Sequence, residues 1–251
     1  MREPGIVFKG VGKRYGALWA LRDADVAFHP GEVVMLIGPN ASGKTTLIKC
    51  LLGLVRTTEG AITVNGAMIG PDPAYRRDIG YMPQISQFPA SLTVGQLLDM
   101  MRDVRGLDEN ATDDRLVDEL GLRAQLDKRL GTLSGGTRQK VSAVLAFRSR
   151  PGILVMDEPT AGLDPISAGR VLDHAGALRD AGGTVLITSH LMEEVESLAD
   201  RVAYLEEGRL RFILPVKEML ESTGTTRLAK AIPHLIRRSN DQTPAVLRDR
   251  A

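Results

Sequence analysis

The sequence predicts an α/β protein with a parallel sheet, a β-rich start and a stretch of helices inserted into the α/β pattern. Three apolar runs are typical of strands buried on both faces, namely EVVMLI (32–37), ILVMD (153–157) and TVLITS (184–189). Helical patterns follow the first two runs, over residues 43–55 and 165–181. Between residues 91 and 149 helical patterns succeed one another and strand-like runs disappear.

The first part of the chain predicts an antiparallel β-subdomain. IVFKGV and DADVAF are short, roughly alternating segments typical of strands, and ITVNG (62–66) predicts a strand and a turn. Tyr15 is expected in an exposed loop between strands. Near the end, LMEEVESLA (191–199) predicts a helix and RVAYLEEGRL (201–210) a hairpin. We expect one domain over 1–220, with an α/β core (1–85 and 150–220) and a helical subdomain (86–149), and then a short C-terminal extension over 221–251.

Bulk composition narrows the classes of function. A formal net charge of +1 over 251 residues gives no electrostatic reason to expect a nucleic-acid partner. The single cysteine, Cys50, excludes an intramolecular disulfide and fits a reducing compartment. The first ten residues lack the apolar segment of a secretory signal, and the apolar runs are too short to span a bilayer. A role at a membrane would therefore act through a partner.

The segment GPNASGKT (38–45) matches the pattern G-x-x-x-x-G-K-[ST] between a buried strand and a helix. Backbone N–H groups in such a loop surround a β-phosphate, the lysine reaches the β- and γ-phosphates, and the following hydroxyl binds Mg²⁺. A chance glycine-rich turn would not place all four required residues behind the right strand. The predicted phosphate-binding residues are Gly38, Pro39, Asn40, Ala41, Ser42, Gly43, Lys44, Thr45 and Thr46.

Asp157 and Glu158 follow the buried run ILVMD. Ligands of parallel α/β sheets bind at the carboxyl ends of the strands, so Asp157 is expected to hold a metal and Glu158 to orient or deprotonate a water. A solvated acidic turn is the ordinary reading of such a pair, and the preceding apolar strand disfavours it here. His190 follows the third buried run, where an imidazole suits a γ-phosphate; a structural histidine is the alternative.

For two further residues, the sequence leaves open whether they have a chemical role or only a structural one. Gln84 lies where the α/β pattern gives way to helices, so it would contact metal or water from one lobe or be a polar loop residue. Tyr15 would stack on a nucleotide base or pack in the core.

LSGGTRQK (133–140) predicts a helix start, with Ser134 as N-cap and two glycines that permit close approach to the backbone. Uncapped N–H groups and the helix dipole make such an end suitable for an anion. The chain would thus hold a second anion site in addition to the loop at 38–45.

Over about residues 5–215 the chain resembles the ATP-binding cassette (ABC) ATPases, the nucleotide-binding subunits of ABC transporters. The family motifs appear in the family order: the A-loop aromatic (Tyr15), Walker A (38–46), the Q-loop glutamine (Gln84), the signature (LSGGT, 133–137), Walker B with its glutamate (153–158), the D-loop (AGLD, 161–164) and the switch histidine (His190). The resemblance implies a P-loop NTPase (RecA-like) core, an ATPase and the ligands ATP and Mg²⁺.

The resemblance also assigns roles to individual residues. It implies catalytic Glu158 assisted by His190 and Gln84, and Mg²⁺ held by Thr45, Gln84 and Asp157. It implies that Tyr15 contacts the nucleotide, and that a head-to-tail homodimer brings Ser134, Gly135 and Gly136 of one subunit to the γ-phosphate held by the other.

The implied partner is an integral membrane permease, docking near Phe88 on the segment QISQFPASLTV (84–94), which would place the chain peripherally on the cytoplasmic face of the inner membrane. Packing of Phe88 inside the helical insert is the alternative. A periplasmic protein would connect only through the permease. A nucleic-acid or ribosome-associated ABC ATPase usually brings two cassettes or a long coiled coil, and LSGGT argues against a plain P-loop kinase or GTPase.

Within the family the chain looks most like ABC-2-type exporter cassettes, and among them like the ATPase of the copper-associated transporter for nitrous oxide reductase maturation. A generic exporter of drug, lipid or polysaccharide is the alternative. Two residues depart from the usual pattern: Thr137 replaces a glutamine in the signature, and Leu145 replaces an arginine in the following helix. Both bear on fine tuning at the dimer interface.

Overall fold

A computed structural model describes residue 3, residues 5–189 and residues 196–241. Its strands are β1 (Ile6–Tyr15), β2 (Leu18–Phe28), β3 (Glu32–Ile37), β4 (Glu59–Val64), β5 (Ala67–Met68), β6 (Ile79–Met82), β7 (Ile153–Asp157), β8 (Thr184–Thr188), β9 (Arg201–Glu206) and β10 (Arg209–Pro215). Its α-helices are α1 (Lys44–Leu51), α2 (Val94–Arg105), α3 (Arg115–Glu119), α4 (Gly135–Phe147), α5 (Pro165–Asp180), α6 (Val216–Thr223) and α7 (Leu228–Asp241). The predicted helix over 191–199 lies mostly outside the described residues.

The described residues form two compact units, one from those within 3–75 and 186–241 and the other from residues 76–185. In the first unit, an antiparallel sheet has the strand order β2-β1-β4-β5, which confirms the predicted N-terminal β-subdomain. β1 and β2 are longer than predicted because their hairpin closes over two residues, with Tyr15 paired to Leu18. The expectation that Tyr15 lies in a loop was wrong: it is the last residue of β1.

β3 is the buried strand that leads to the phosphate-binding loop. It pairs in parallel with β9, which pairs in antiparallel with β10, as the predicted hairpin requires. Residues 33–37 are at most 2% exposed, in agreement with the continuous apolar run. Helix α1 packs Leu47, Ile48, Cys50 and Leu51 in the core.

Helix α1 ends at Leu51, four residues earlier than the prediction of 55. Gly53 has φ +63° and donates to the carbonyl of Cys50, while Leu54 donates to the carbonyl of Lys49. These two bonds form a Schellman motif, which terminates a helix at a residue in the left-handed conformation. The apolar pattern continues past Gly53 and therefore hid the end of the helix.

In the second unit, β6 and β7 pair in parallel, with Ile79 opposite Ile153. Gly80 lies against α4, where an added Cβ would stand 2.0 Å from the carbonyl oxygen of Ala146. Only a glycine allows strand and helix to approach so closely. α4 is buried over most of its surface, as the dense apolar sequence VSAVLAF suggests.

Residues 86–149 contain α2, α3 and α4 and no strand beyond a single bridge between Thr93 and Arg129, so the predicted helical insert is present. α2 begins with a capping box, in which Thr93 and Gln96 satisfy each other's backbone N–H groups. Of the helices in the described parts of the chain, none combines the length and the apolar character that crossing a bilayer requires.

Capping hydrogen bonds fix the N-terminal ends of α4 and α5, and an ion pair joins the two. Ser134 caps α4, as predicted, by accepting from the N–H of Thr137 at 3.1 Å. Asp164 caps α5 by accepting from the N–H and hydroxyl of Ser167, at 2.9 and 2.7 Å, and forms an ion pair with Lys140 of α4 at 2.9 Å. These bonds hold the segment that begins α5 against the helix that begins after Ser134.

The adjacent glycines of the α4 start differ in their surroundings, and this yields a prediction. A Cβ at Gly136 would stand 2.8 Å from the carbonyl oxygen of Gly162, whereas a Cβ at Gly135 would meet nothing within 4 Å. We expect Gly136→Ala to lower the free energy of unfolding by about 1–3 kcal/mol through overpacking. Gly135→Ala should leave it unchanged or raise it by up to about 1 kcal/mol through helix propensity. Urea unfolding of both variants tests the difference, and equal effects would contradict the contact.

The cap at Asp164 predicts a pH dependence. Hydrogen bonds from Ser167, followed by that from Lys140, lower the pKa of the Asp164 carboxyl below its ordinary value. An ionised group whose pKa is lower in the folded state stabilises the fold above its unfolded pKa, about 4, and loses this effect as the pH falls through the folded value. Asp164→Asn keeps an acceptor for the cap and removes the charge. We expect it to unfold at a lower temperature than the parent at pH 7, with the difference narrowing below about pH 4. A difference independent of pH would refute this role for the charge.

Candidate functional site

The loop at 38–46 in the first unit comprises the turn between β3 and α1 and the first three residues of α1. Nζ of Lys44 donates to the carbonyl oxygens of Gly38 at 2.7 Å and Pro39 at 3.0 Å, which folds the lysine back over the loop. Gly38 has φ +154°, Ala41 φ +62° and Gly43 φ +111°, so the backbone takes positive φ at three residues of the loop. Such turns direct successive N–H groups toward one point and form a concavity for anions.

The loop also fits a phosphate sterically. A Cβ at Gly38 would lie 2.0 Å from the carbonyl oxygen of Leu205, and one at Gly43 would lie 2.4 Å from that of Ala20, so neither position has room for a side chain. Among the described residues, no side chain caps the start of α1. The buried Oγ of Ser42 also has no hydrogen-bond partner within that part of the chain. The loop therefore offers uncapped donors at a helix start, which is what a phosphate requires.

Tyr15 is 46% exposed at the end of β1, and Nζ of Lys13 lies 4.9 Å from its ring centroid. The core-packing alternative for this ring is therefore excluded. An exposed aromatic face beside a cationic side chain is suited to stacking on a nucleotide base.

In the second unit, the parallel pairing of Met82 with Met156 brings the carboxyl ends of β6 and β7 to the same level. Asp157 ends β7 and is 6% exposed, whereas Gln84, two residues beyond β6, is exposed. The phenol of Tyr81 reflects this surrounding: burial, followed by the charge of Asp157, raises its pKa to about 12. The carboxylate of Asp157 is therefore held at the strand end where ligands of α/β sheets bind.

Glu158 has φ +56°, which is uncommon for a residue with a side chain. The N–H of Ala161 donates to its carbonyl at 3.2 Å, which closes a tight turn directly after β7. Residues held in sparsely populated backbone regions cost about 1–3 kcal/mol each and cluster at functional sites. The strained turn therefore coincides with the position of the predicted catalytic carboxylate.

Ser134 and Gly135 are exposed at the start of α4, and Gly136 is half-buried. Oγ of Ser134 accepts from the N–H of Thr137 and lies 2.8 Å from Oγ1 of Thr137. The guanidinium of Arg138 donates to the carbonyl oxygen of Leu133 at 2.7 Å and fixes the chain before the cap. The hydroxyl and the helix start thus lie open to an approaching anion.

Three polar side chains of this region were not predicted. The hydroxyl of Ser86 donates to Oε1 of Gln139 at 2.9 Å, joining the segment after Gln84 to the buried face of α4. Lys140 joins α4 to Asp164, as described above. The one available signal was the position of Gln139 on a mostly apolar helix face, which suggests a buried amide with a partner distant in sequence.

Within each unit, the structure brings together part of the predicted site. The first unit holds residues 38–46 and Tyr15. The second holds Gln84, Asp157 and Glu158 at common strand ends, and it holds residues 134–136 at one helix start. His190 lies outside the described residues. No group of three or more His, Cys, Asp or Glu side chains suited to a metal ion occurs within the described ranges.

Comparison with known proteins gives consistent results. The family model described as ABC transporter matches residues 21–161, which is 141 of the 251 residues. The linearmycin resistance ATP-binding protein LnrL of Bacillus subtilis is 34% identical over 206 residues, covering 80% of this chain and 66% of that protein. The Nod factor export ATP-binding protein I of Burkholderia orbicola is 35% identical over 208 residues, covering 81% of this chain and 68% of that protein. The chain thus spans about two thirds of the length of these relatives.

Among solved structures, an ATP binding subunit of an ABC transporter superposes with a TM-score of 0.86 at 29% identity, covering 92% of this chain and 99% of that one. This confirms the predicted fold class, a P-loop NTPase core with an antiparallel β-subdomain and a helical insert. The family match spans more than half of the sequence, and the loop at 38–46 has the form that a phosphate requires. The chain therefore belongs to the ABC transporter family and carries its ATPase domain.

Proposed function

We propose that this chain is the ATP-hydrolysing subunit of an ABC exporter, which dimerises head-to-tail and drives a separate membrane permease. The observation that carries the proposal is the presence, in one chain, of two helix starts suited to phosphate: the loop at 38–46 and the exposed start of α4 after Ser134. The names of the two relatives, which refer to resistance and to export, support the exporter class.

The phosphates of ATP are bound by the loop at 38–46. Lys44 exchanges its bonds to the carbonyl oxygens of Gly38 and Pro39 for bonds to phosphate oxygens, which carry more negative charge. The unpartnered hydroxyl of Ser42 gains a partner in the same step. Tyr15 stacks on the base through its exposed ring.

The metal is assigned to Thr45 in the first turn of α1 and to Gln84 and Asp157 near the ends of β6 and β7, and the water is assigned to Glu158. Thr45, Gln84 and Asp157 offer hydroxyl, amide and carboxylate oxygens, the ligand types that Mg²⁺ takes. When bound, Mg²⁺ would neutralise charge on the β- and γ-phosphate oxygens. Glu158 accepts a proton from the attacking water, and it lies in a strained turn directly after the strand that Asp157 ends. His190 holds the γ-phosphate and the water in line, a role carried by its place in the motif order.

The dimer follows from the second helix start. Ser134, Gly135 and Gly136 of one subunit donate to the γ-phosphate bound by the other, so ATP joins two copies of the chain. Hydrolysis and phosphate release remove this link and reopen the dimer, and the motion is passed to the permease.

The permease docks on an apolar surface beside Gln84. Ile85 is 71% exposed and Phe88 is half-buried, and both lie on the segment that follows Gln84. Exposed apolar side chains of this size in one unit suit the apolar face of a partner helix. This docking places the chain on the cytoplasmic face of the membrane, where any periplasmic component acts through the permease and no nucleic acid takes part.

The cargo is proposed at two levels. The broader proposal is a generic exporter of drug, lipid or polysaccharide, which agrees with the names of the relatives. The narrower is the copper-associated transporter for nitrous oxide reductase maturation, which rests on the likeness of the stretch from Ala146 to Pro165 and of the tail. Neighbouring genes distinguish them, since the narrower form requires a permease gene beside those of a periplasmic repeat protein and a copper chaperone.

The catalytic assignment predicts a trapped state. Glu158→Gln removes the proton acceptor and keeps the phosphate contacts, so we expect ATP binding without turnover and an ATP-dependent dimer. Lys44→Ala removes the charge that faces the phosphates and should abolish nucleotide affinity. Phosphate release, fluorescent-nucleotide binding and light scattering measure these properties. Full turnover by Glu158→Gln, or normal binding by Lys44→Ala, would remove the residue from its role.

The docking assignment predicts uncoupling. Phe88→Ala removes the aromatic ring of this apolar surface, and we expect ATPase activity of the isolated chain to persist while transport with its permease falls severalfold. Met68→Ala is the matched control, because Met68 is 72% exposed on β5, outside this surface. If transport is unchanged in Phe88→Ala, or falls equally in the control, the surface does not dock the permease.

A further inference from the structure

Thr137, which replaces the usual glutamine of the signature, makes a specific side-chain contact in this structure. Oγ1 of Thr137 lies 2.8 Å from Oγ of Ser134, the hydroxyl proposed to bind the γ-phosphate of the partner subunit's nucleotide. The same oxygen of Ser134 already accepts from the N–H of Thr137 at 3.1 Å. Thr137 therefore contacts Ser134 through two groups, its backbone and its side chain.

A hydroxyl has one hydrogen to donate and two lone pairs that accept. The N–H of Thr137 occupies one lone pair of Ser134. If the Thr137 hydroxyl donates as well, both lone pairs are occupied and the hydrogen of Ser134 must point away from the helix. If Ser134 donates to Thr137 instead, its hydrogen is used inside the cap and none is left for a ligand.

Two features favour donation by Thr137. A helical threonine hydroxyl otherwise donates to a carbonyl three or four residues earlier, which here is that of Ser134 or Leu133. The N–H of Arg138 donates to the carbonyl oxygen of Ser134 at 3.0 Å. The guanidinium of Arg138 already donates to the carbonyl oxygen of Leu133 at 2.7 Å. An anion in front of Ser134 needs a hydrogen from it, so bound phosphate stabilises the arrangement in which Thr137 donates and Ser134 points outward.

We propose that Thr137 is a positioning residue for ATP-driven dimer closure: its hydroxyl donates to Ser134 and turns the hydrogen of Ser134 toward the γ-phosphate. The proposal rests on the head-to-tail dimer of the proposed function. A chain of two hydroxyls also polarises the terminal O–H, which strengthens its bond to the anion. The hydroxyl at 137 thus acts through Ser134 and makes no contact with the nucleotide itself.

The test compares Thr137→Val, which keeps the shape and the N–H and removes the hydroxyl, with Thr137→Ser, which keeps the hydroxyl. Both are made in the Glu158→Gln background, where ATP is bound and not turned over. Light scattering across an ATP titration gives the concentration of half-maximal dimer. We expect Thr137→Val to need about tenfold more ATP, since the hydrogen bond from Ser134 to the charged phosphate is weakened but not lost. Thr137→Ser should dimerise like the parent.

Two further measurements separate positioning from structure. The thermal unfolding temperature should not change in Thr137→Val, because the bond from the backbone N–H to Ser134 remains and valine and threonine have similar helix propensity. Binding of a fluorescent ATP analogue at protein concentrations where the chain is monomeric should also be unchanged, since the loop at 38–46 is intact. If Thr137→Val lowers the unfolding temperature, Thr137→Ala takes its place as the variant without a hydroxyl.

Closure of Thr137→Val at the parent's ATP concentration would overturn the proposal, and so would equal loss of closure in Thr137→Ser. Failure of the Glu158→Gln parent to dimerise with ATP contradicts the head-to-tail dimer and, with it, the role of Thr137. This outcome differs from a failure of the Thr137 proposal alone, because it appears in the Glu158→Gln variant that still carries Thr137.

Discussion

The backbone between β3 and α1 packs so closely against other strands that two of its positions have no room for a side chain. The phosphate site depends on this constraint. The carbonyl oxygens of Leu205 and Ala20 occupy the space that a Cβ at Gly38 or Gly43 would need. Because strands β9 and β2 supply these oxygens, the loop is shaped by its neighbours as well as by its own sequence. A helix start shaped in this way leaves its N–H groups to a ligand instead of a cap.

The two functional turns share a physical character. Ala41 and Glu158 are both non-glycine residues in the left-handed region, one in the phosphate loop and one directly after β7. Neither conformation is favoured locally, so the surrounding structure must hold it at a cost in stability. In ligand-binding turns this cost is offset by a geometry that is present before the ligand arrives, which reduces the ordering required on binding.

Much of this structure could be predicted from local patterns. Buried runs gave β3, β7 and β8 because a strand covered on both faces must be apolar throughout. Ser134 could be identified as a cap because a cap is a contact over three residues. The end of α1 was missed because Gly53 lies inside an apolar stretch, and Tyr15 was placed in a loop because the two-residue hairpin leaves no polar linker to mark it.

The contacts that no local pattern could predict are the ones between distant polar groups. Ser86 and Gln139 are 53 residues apart, and only the packing of α4 brings them within hydrogen-bond distance. Lys140 and Asp164 meet for the same reason. The sequence shows that Thr137 replaces the usual glutamine of the signature. The orientation of its hydroxyl toward Ser134, however, depends on side-chain rotamers that the local sequence does not determine.

The close approach at Gly80 fixes the register of β6. A slip of β6 by one residue relative to β7 would place Ile79 or Tyr81 against the carbonyl oxygen of Ala146, where a Cβ has no room. The alignment of Met82 with Met156 is therefore enforced from outside the ladder, by a helix, and not only by strand hydrogen bonds. A single residue without a side chain thus acts as an alignment mark that keeps the glutamine after β6 level with the carboxylate that ends β7.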